Sequence, residues 1–261
     1  MSPSKIVLLK NKTTPIDPYE VNLKQEEFDP VFVPLIQHQH LPTECLSLLR
    51  DEKYLLRLEI IVISSQRTVE CLNESIIPKL SDSQRCQLLS KVVYTVGPAT
   101  ANFLERCGFE NIRGGKDAGN GSILADLIIS DLSSKSVQLS QLPKPLLLVG
   151  ETRRDIVPKK LASIGIESQE VVTYKTKEKD DNLTRFKSLF VPQCWVVFFS
   201  PQGTEEIIEY LRNEKVKIAS IGPTTDEFLS SHNVRSQVVS SKPEPNALIK
   251  ALKEFEKTLQ A

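Results

Sequence analysis

Short, almost wholly apolar runs recur along this chain, each parted from the next by an amphipathic stretch, and that rhythm leaves few folds open. KIVLLK (5–10), PVFVPLI (30–36), LEIIVIS (58–64), KVVYTVG (91–97), PLLLVG (145–150), QEVVTY (169–174), CWVVFFS (194–200) and KIASIG (217–222) read as strands. Several are continuous rather than alternating, as strands covered on both faces require. Between them, RTVECLNESIIPKL (67–80), TANFLERCG (100–108), ILADLIISDL (123–132) and TEEIIEYLRN (204–213) carry helical periodicity. Strand, helix, strand at this spacing predicts α/β units on parallel sheets.

The same unit is written twice. EIIVISSQRTVECLNE leads through a helix to VVYTVGPATANFLERCG, and WVVFFSPQGTEEIIEYL leads through a helix to VKIASIGPTTDEFLSSHNV. The Gly-Pro turns align, but the first turns do so in two ways, pairing Ser200 with either Ser64 or Ser65. Two related halves predict two domains. The boundary is open: the N-terminal strands could join the last third of the chain, or a simple cut could fall near 140–150, where 133–145 reads as a loop.

Open α/β sheets take ligands beyond the carboxyl ends of their strands, where unpaired helix-start amides favour anions. Ser64, Ser65, Arg67, Thr100, Ser200, Gln202, Thr204, Thr224 and Thr225 fall at such turns. Each hydroxyl taken singly reads more simply as a helix N-cap; the set in corresponding places predicts an anion-binding cleft between two halves. Arg153 and Arg154 follow a strand and reach the same rim, as surface ion pairs or as carboxylate ligands. Tyr174 ends the run QEVVTY, either half-buried at a domain junction or donating a proton into the cleft.

Other chemistry finds little support. No GxGxxG or GxxxxGK[ST] is present, and GGKDAGNGS (114–122) reads as a flexible loop after no strong strand. His38 and His40 share one strand face without an acid or cysteine beside them, and read as surface imidazoles rather than metal ligands. His232 reads as a turn residue, and no GxSxG elbow is present. Five cysteines without a CxxC pair read as buried small apolar side chains. Lys plus Arg and Asp plus Glu are 33 each, so the basic excess of a nucleic-acid binder is missing. No apolar run approaches the about 20 residues of a membrane span. MSPSKIVLLK enters a strand-like run with no basic-then-apolar leader, which predicts a cytoplasmic protein.

Taken together, ISSQRTVE (63–70), VVYTVGPATA (92–101), VVTYKT (171–176), VFFSPQG (197–203), IASIGPTT (218–225) and PEPNALIKAL (243–252) resemble the uroporphyrinogen-III synthase family, in order over nearly the whole chain. The resemblance implies two flavodoxin-like α/β domains, 1–36 with 176–261 and 42–168, joined by linker strands at 37–41 and 169–175. It implies a monomer that cyclises hydroxymethylbilane, a tetrapyrrole with eight carboxylates, without cofactor or metal, membrane or nucleic acid. Ring D is inverted through azafulvene and spiro intermediates. Tyr174 is the implied acid, with Ser64, Ser65, Arg67, Thr100, Arg153, Ser200, Gln202, Gly203, Thr204, Thr224 and Thr225 holding substrate. Many members have Ser-Pro where this chain has Ser65-Gln66, so the shape of that turn departs from the pattern. Two other classes stay open: a non-enzymatic two-domain protein closing on a small polyanion, and a nucleotide-sugar transferase weakened by the missing phosphate loop.

Overall fold

The computed structural model describes residues 3–14, 16–133 and 143–260; residues 134–142 of the expected loop at 133–145 lie outside them. The chain divides into two compact units, 1–37 with 177–261 and 38–176. It crosses from one to the other twice, once inside a strand at 36–40 and once inside a strand at 169–178.

The N-terminal part supplies β1 (Ser4–Leu9), α1 (Pro18–Gln25) and β2 (Phe28–Phe32). Asp17 starts α1, accepting hydrogen bonds from the amides of Tyr19 and Glu20 and pairing with Lys10. The crossing strand β3 (Ile36–His40) leads into α2 (Thr43–Arg50), α3 (Glu52–Arg57), β4 (Ile60–Ile63) and α4 (Gln66–Cys71). The stretch expected as one helix to residue 80 changes pitch after Cys71, through a π turn at Leu72–Ile76 and a 3₁₀ turn at Ile77–Lys79. Pro78 has no N–H to continue an α-helical ladder, so the last turns are rebuilt around it.

Next come α5 (Asp82–Leu89), β5 (Val92–Val96), α6 (Pro98–Arg106), β6 (Asn111–Gly115), α7 (Gly121–Ser133), β7 (Leu146–Gly150), α8 (Ile156–Ser163) and β8 (Gln169–Glu178). The glycine-rich stretch expected to be a loop after no strong strand in fact begins inside β6. Gly114 has φ +87°, and a Cβ there would stand 2.5 Å from the carbonyl oxygen of Thr95, so close backbone approach dictates the residue. The return segment carries α9 (Asn182–Leu189), β9 (Trp195–Phe198), α10 (Glu205–Leu211), β10 (Lys217–Ser220), α11 (Pro223–Ser231), β11 (Val238–Val239) and α12 (Pro245–Gln260).

Strands of 1–37 and 177–261 order as β11-β10-β9-β1-β2, all parallel. Numbered along that unit this is 5-4-3-1-2, the doubly wound order of flavodoxin-like sheets. The second sheet orders as β3-β8-β7-β4-β5-β6, with β8 through β6 parallel. Its five parallel strands read 5-4-1-2-3 along the unit, the order of dinucleotide-binding sheets, so the flavodoxin-like order expected for both halves does not hold for this one. The difference is a circular permutation: β1 and β2 open one unit in the places that β7 and β8 close in the other.

Each sheet is buried on both faces, which accounts for the continuous apolar runs. In 38–176, Ile61, Ile63, Val93 and Leu148 pack on one face, and Ile60, Val62, Tyr94 and Leu147 on the other. In the other unit, Val7, Leu9, Val196 and Phe198 face one cluster, while Ile6, Leu8, Trp195 and Val197 face the second. Cys45, Cys71 and Cys194 are buried as expected of small apolar residues, whereas Cys86 is exposed on α5 and Cys107 half-buried. Cys86 follows the exposed Asp82 and Ser83 by one turn, on the solvent side of α5.

Candidate functional site

In 38–176 the direction of winding reverses between β4 and β7, which opens a crevice beyond their carboxyl ends. A cavity of about 320 Å³ lies there, walled by Val62, Ser64, Ser65, Gly150, Arg153 and Tyr174 among others. Ser65 starts α4, its Oγ accepting the Arg67 amide at 3.2 Å, while Ser64 is exposed beside it. The Tyr174 hydroxyl lies 3.1 Å from the same Oγ. Tyr174 is carried on β8, where the pairing with β7 slips at a bulge: Val149 stands opposite Val172 but Gly150 opposite Tyr174. Bulges beside sites re-aim side chains, and this one turns the phenol onto the crevice.

His38 approaches the Tyr174 ring edge-on at 6.0 Å, and its Nδ1 lies 3.0 Å from Thr176 Oγ1. His40 Nδ1 lies 2.8 Å from Ser75 Oγ. Both were expected as surface imidazoles and both are half-buried, because α4 and the turns after it pack over this edge strand. Burial holds the His38 imidazole below its ordinary value, with the Arg67 guanidinium and His40 adding to the effect and Glu70 opposing it.

Two of the rim arginines, Arg67 and Arg153, are engaged by acids. Arg67 holds Glu70 at 2.6 and 2.8 Å, and Arg153 holds Glu170 at 2.7 Å. A guanidinium carries five donors, so each pairing leaves capacity for a further carboxylate. Arg154 lines the same cavity. Thr100 sits in the first turn of α6, only 5% exposed. It is not the N-cap that the simple reading made it: Gly97 holds that place, with Pro98 next, and no side chain caps the helix.

The rim of the other unit repeats this plan. Thr95 stands opposite Ile63, and its counterpart Ser220 opposite Phe198, so the register matches Ser200 with Ser65 and Glu205 with Glu70. Tertiary pairing thus settles the alignment that the repeat left open. Ser200 and Gln202 are exposed after β9. Thr204 starts α10 fully buried, its hydroxyl donating to the Pro201 carbonyl. The Gly203 amide donates to a Glu178 carboxylate oxygen at 2.9 Å. Gly222 takes the N-cap place of α11, leaving Thr224 exposed and Thr225 4% exposed in the first turn. A cavity of about 330 Å³ near Gly203 is lined by Glu178, Asp180, Asp181, Glu205 and Glu206 with Lys179.

Two residues of the paired turns stand outside the set read from the sequence. Thr95, next to last in β5, and Ser220, last in β10, are fully buried, and neither hydroxyl has a hydrogen-bond partner. Their matching places in TVGPAT and SIGPTT were the available signal. Gly150, which carries no functional group, also stands outside that set. Among the described residues no group of three His, Cys, Asp or Glu could hold a metal ion, and no helix is long and apolar enough to cross a membrane.

The family model of uroporphyrinogen-III synthase HemD matches residues 17–250. The uroporphyrinogen-III synthase of Saccharomyces cerevisiae is 51% identical over 270 residues, covering 97% of each chain. That of Schizosaccharomyces pombe is 33% identical over 256 residues, covering 96% of each. Among solved structures, uroporphyrinogen-III synthetase from Helicobacter pylori aligns with a TM-score of 0.59 at 18% identity, over 97% of this chain and 99% of that one, a likeness of fold.

Proposed function

The chain belongs to the uroporphyrinogen-III synthase family, and from that premise we propose that it converts hydroxymethylbilane into uroporphyrinogen III, with ring D inverted. The activity is that of a cyclising hydro-lyase of heme biosynthesis. Family membership sets aside the non-enzymatic binding protein and the sugar transferase. The observation that carries the reading to particular residues is the Tyr174 hydroxyl, 3.1 Å from Ser65 Oγ in the crevice at the reversal of the sheet.

The chemistry needs little more than positioning and one proton. Tyr174 donates its phenolic proton to the substrate's terminal hydroxyl, which leaves as water while the pyrrole nitrogen pushes electrons to form an azafulvene. The substituted α-carbon of ring D attacks the ring A azafulvene methylene, giving a spiro intermediate. The bond from that α-carbon to the ring C methylene then breaks, leaving a ring C azafulvene; ring D's other α-carbon closes on this methylene, which inverts the ring, and the proton lost on rearomatisation returns to the phenolate. The substrate supplies its own nucleophile and electrophile, so neither a catalytic triad nor a cofactor or metal is drawn into these steps. Positioning of this kind lowers barriers by fixing reacting groups and aiming dipoles at developing charge.

Ser64, Ser65, Arg67, Thr100 and Arg153 of one unit, and Ser200, Gln202, Gly203, Thr204, Thr224 and Thr225 of the other, are proposed to receive substrate carboxylates. The uncapped starts of α6 and α11 support this, since their first amides face no capping side chain. The burial of Thr100, Thr204 and Thr225 favours a role in shaping those turns, with backbone amides making the contacts. The two units are proposed to act as α/β domains, 1–36 with 176–261 and 42–168, linked by strands at 37–41 and 169–175, in a cytoplasmic monomer. The balanced charge supports a small-molecule partner over nucleic acid. Purified protein given hydroxymethylbilane is expected to yield the type III isomer; only type I, at the spontaneous rate, overturns the assignment.

A further inference from the structure

Gly150 ends β7 without a positive φ, so any residue could adopt its backbone. What the place lacks is room. A Cβ there would stand 2.6 Å from Tyr174 Cζ, 2.7 Å from Oη and 3.0 Å from Cε1, so the hydroxyl end of the ring rests on the glycine itself. The partner strand is shaped to the same end. The bulge inserts Thr173 between Val172 and Tyr174, and the buried Thr173 Oγ1 is fixed 3.1 Å from the Val149 carbonyl and 3.2 Å from Thr68 Oγ1. The Glu151 amide then donates to the Tyr174 carbonyl at 2.9 Å, closing the ladder beyond the bulge.

The geometry points to Gly150 and Thr173 as positioning residues that together set the Tyr174 hydroxyl at the crevice beside Ser65. The glycine supplies space under the phenol, and the anchored threonine fixes the bulge that aims it. This rests on the reading of Tyr174 as the acid. Any β-carbon at 150 must drive the ring outward, because the atoms it meets belong to a rigid ring and not to a flexible chain end. Displacement of a reacting group by about 1 Å costs on the order of a hundredfold in rate.

The test is steady-state kinetics on Gly150→Ala, Tyr174→Phe and the double variant, with thermal unfolding alongside. Gly150→Ala is expected to lower kcat by at least about tenfold, toward the Tyr174→Phe level, with KM within about twofold. Adding it to Tyr174→Phe is expected to cost no further rate, since the group it places is already gone. Wild-type kcat in Gly150→Ala, beside a slow Tyr174→Phe, sinks the positioning role and leaves the acid standing. Losses that multiply in the double variant overturn it as well. Full turnover by Tyr174→Phe removes the acid, and the positioning role with it. If Gly150→Ala does not fold, Thr173→Val decides: a kcat-selective loss restored by Thr173→Ser supports the device, and wild-type kcat in Thr173→Val refutes it.

Discussion

His38 shows how the setting of one side chain becomes a property of the protein. Its ring is half-buried against Tyr174, and burial, with Arg67 and His40, holds its protonation below the ordinary 6.5, against the pull of Glu70. The unfolded chain therefore binds a proton as pH falls through 6.5 while the folded chain resists it, so acidification costs stability. His38→Gln is expected to lose less stability than wild type between pH 7.5 and 5.5, measured by thermal unfolding; an unchanged pH slope contradicts this. The imidazole's identity was visible in QHQH, but not its burial, because that depends on α4, some 30 residues downstream. Tyr174 was legible through VVTYKT. Gly150 was not, since a glycine chosen for missing bulk looks like any other until the ring above it is placed.

At the scale of elements, α1 turns on its N-cap. Asp17 is fully buried yet charged: burial pushes its carboxyl up, but the Lys10 hydrogen bond, the Thr13 and Tyr19 amides and the Lys10 charge outweigh this and hold it below 3.8. Its contribution is thus complete above the unfolded carboxyl's pKa and fades as pH drops through the lower folded value. Asp17→Asn keeps an acceptor for the helix amides but leaves Lys10 without its partner. It is expected to cost about 3–5 kcal/mol at pH 7 by urea titration and to flatten the acid limb, the usual scale for breaking a buried pair. A change below about 0.5 kcal/mol, the size of an exposed pair, would show that Lys10 is solvated. The helix itself was invisible to the apolar-run reading: its buried residues are Tyr19 and Leu23, one narrow stripe in a polar segment.

For the molecule as a whole, the permutation decides what each end of the chain must do. β1 lies between β9 and β2, with Val7 opposite both Val196 and Val31, and Ile6, Val7, Leu8 and Leu9 at most 2% exposed. Removing residues 1–12 is therefore expected to collapse the unit of 1–37 and 177–261, seen as loss of soluble protein or of the near-ultraviolet signal of Trp195. A soluble fragment with a native Trp195 spectrum would show that β9 does not need this neighbour. That strands and helices alternate, that a strand–turn–helix unit occurs twice, and which family the chain joins can all be read along the linear chain. Those signals are local, carried by periodicity and short motifs within a few turns of chain. Tertiary structure alone decided that Ser200 matches Ser65, that one sheet winds 5-4-3-1-2 and the other 5-4-1-2-3, and that a bulge lays Tyr174 on Gly150. Each depends on pairing between segments distant along the chain, and a one-residue change of register redirects side chains without altering the apolar pattern that marks a strand.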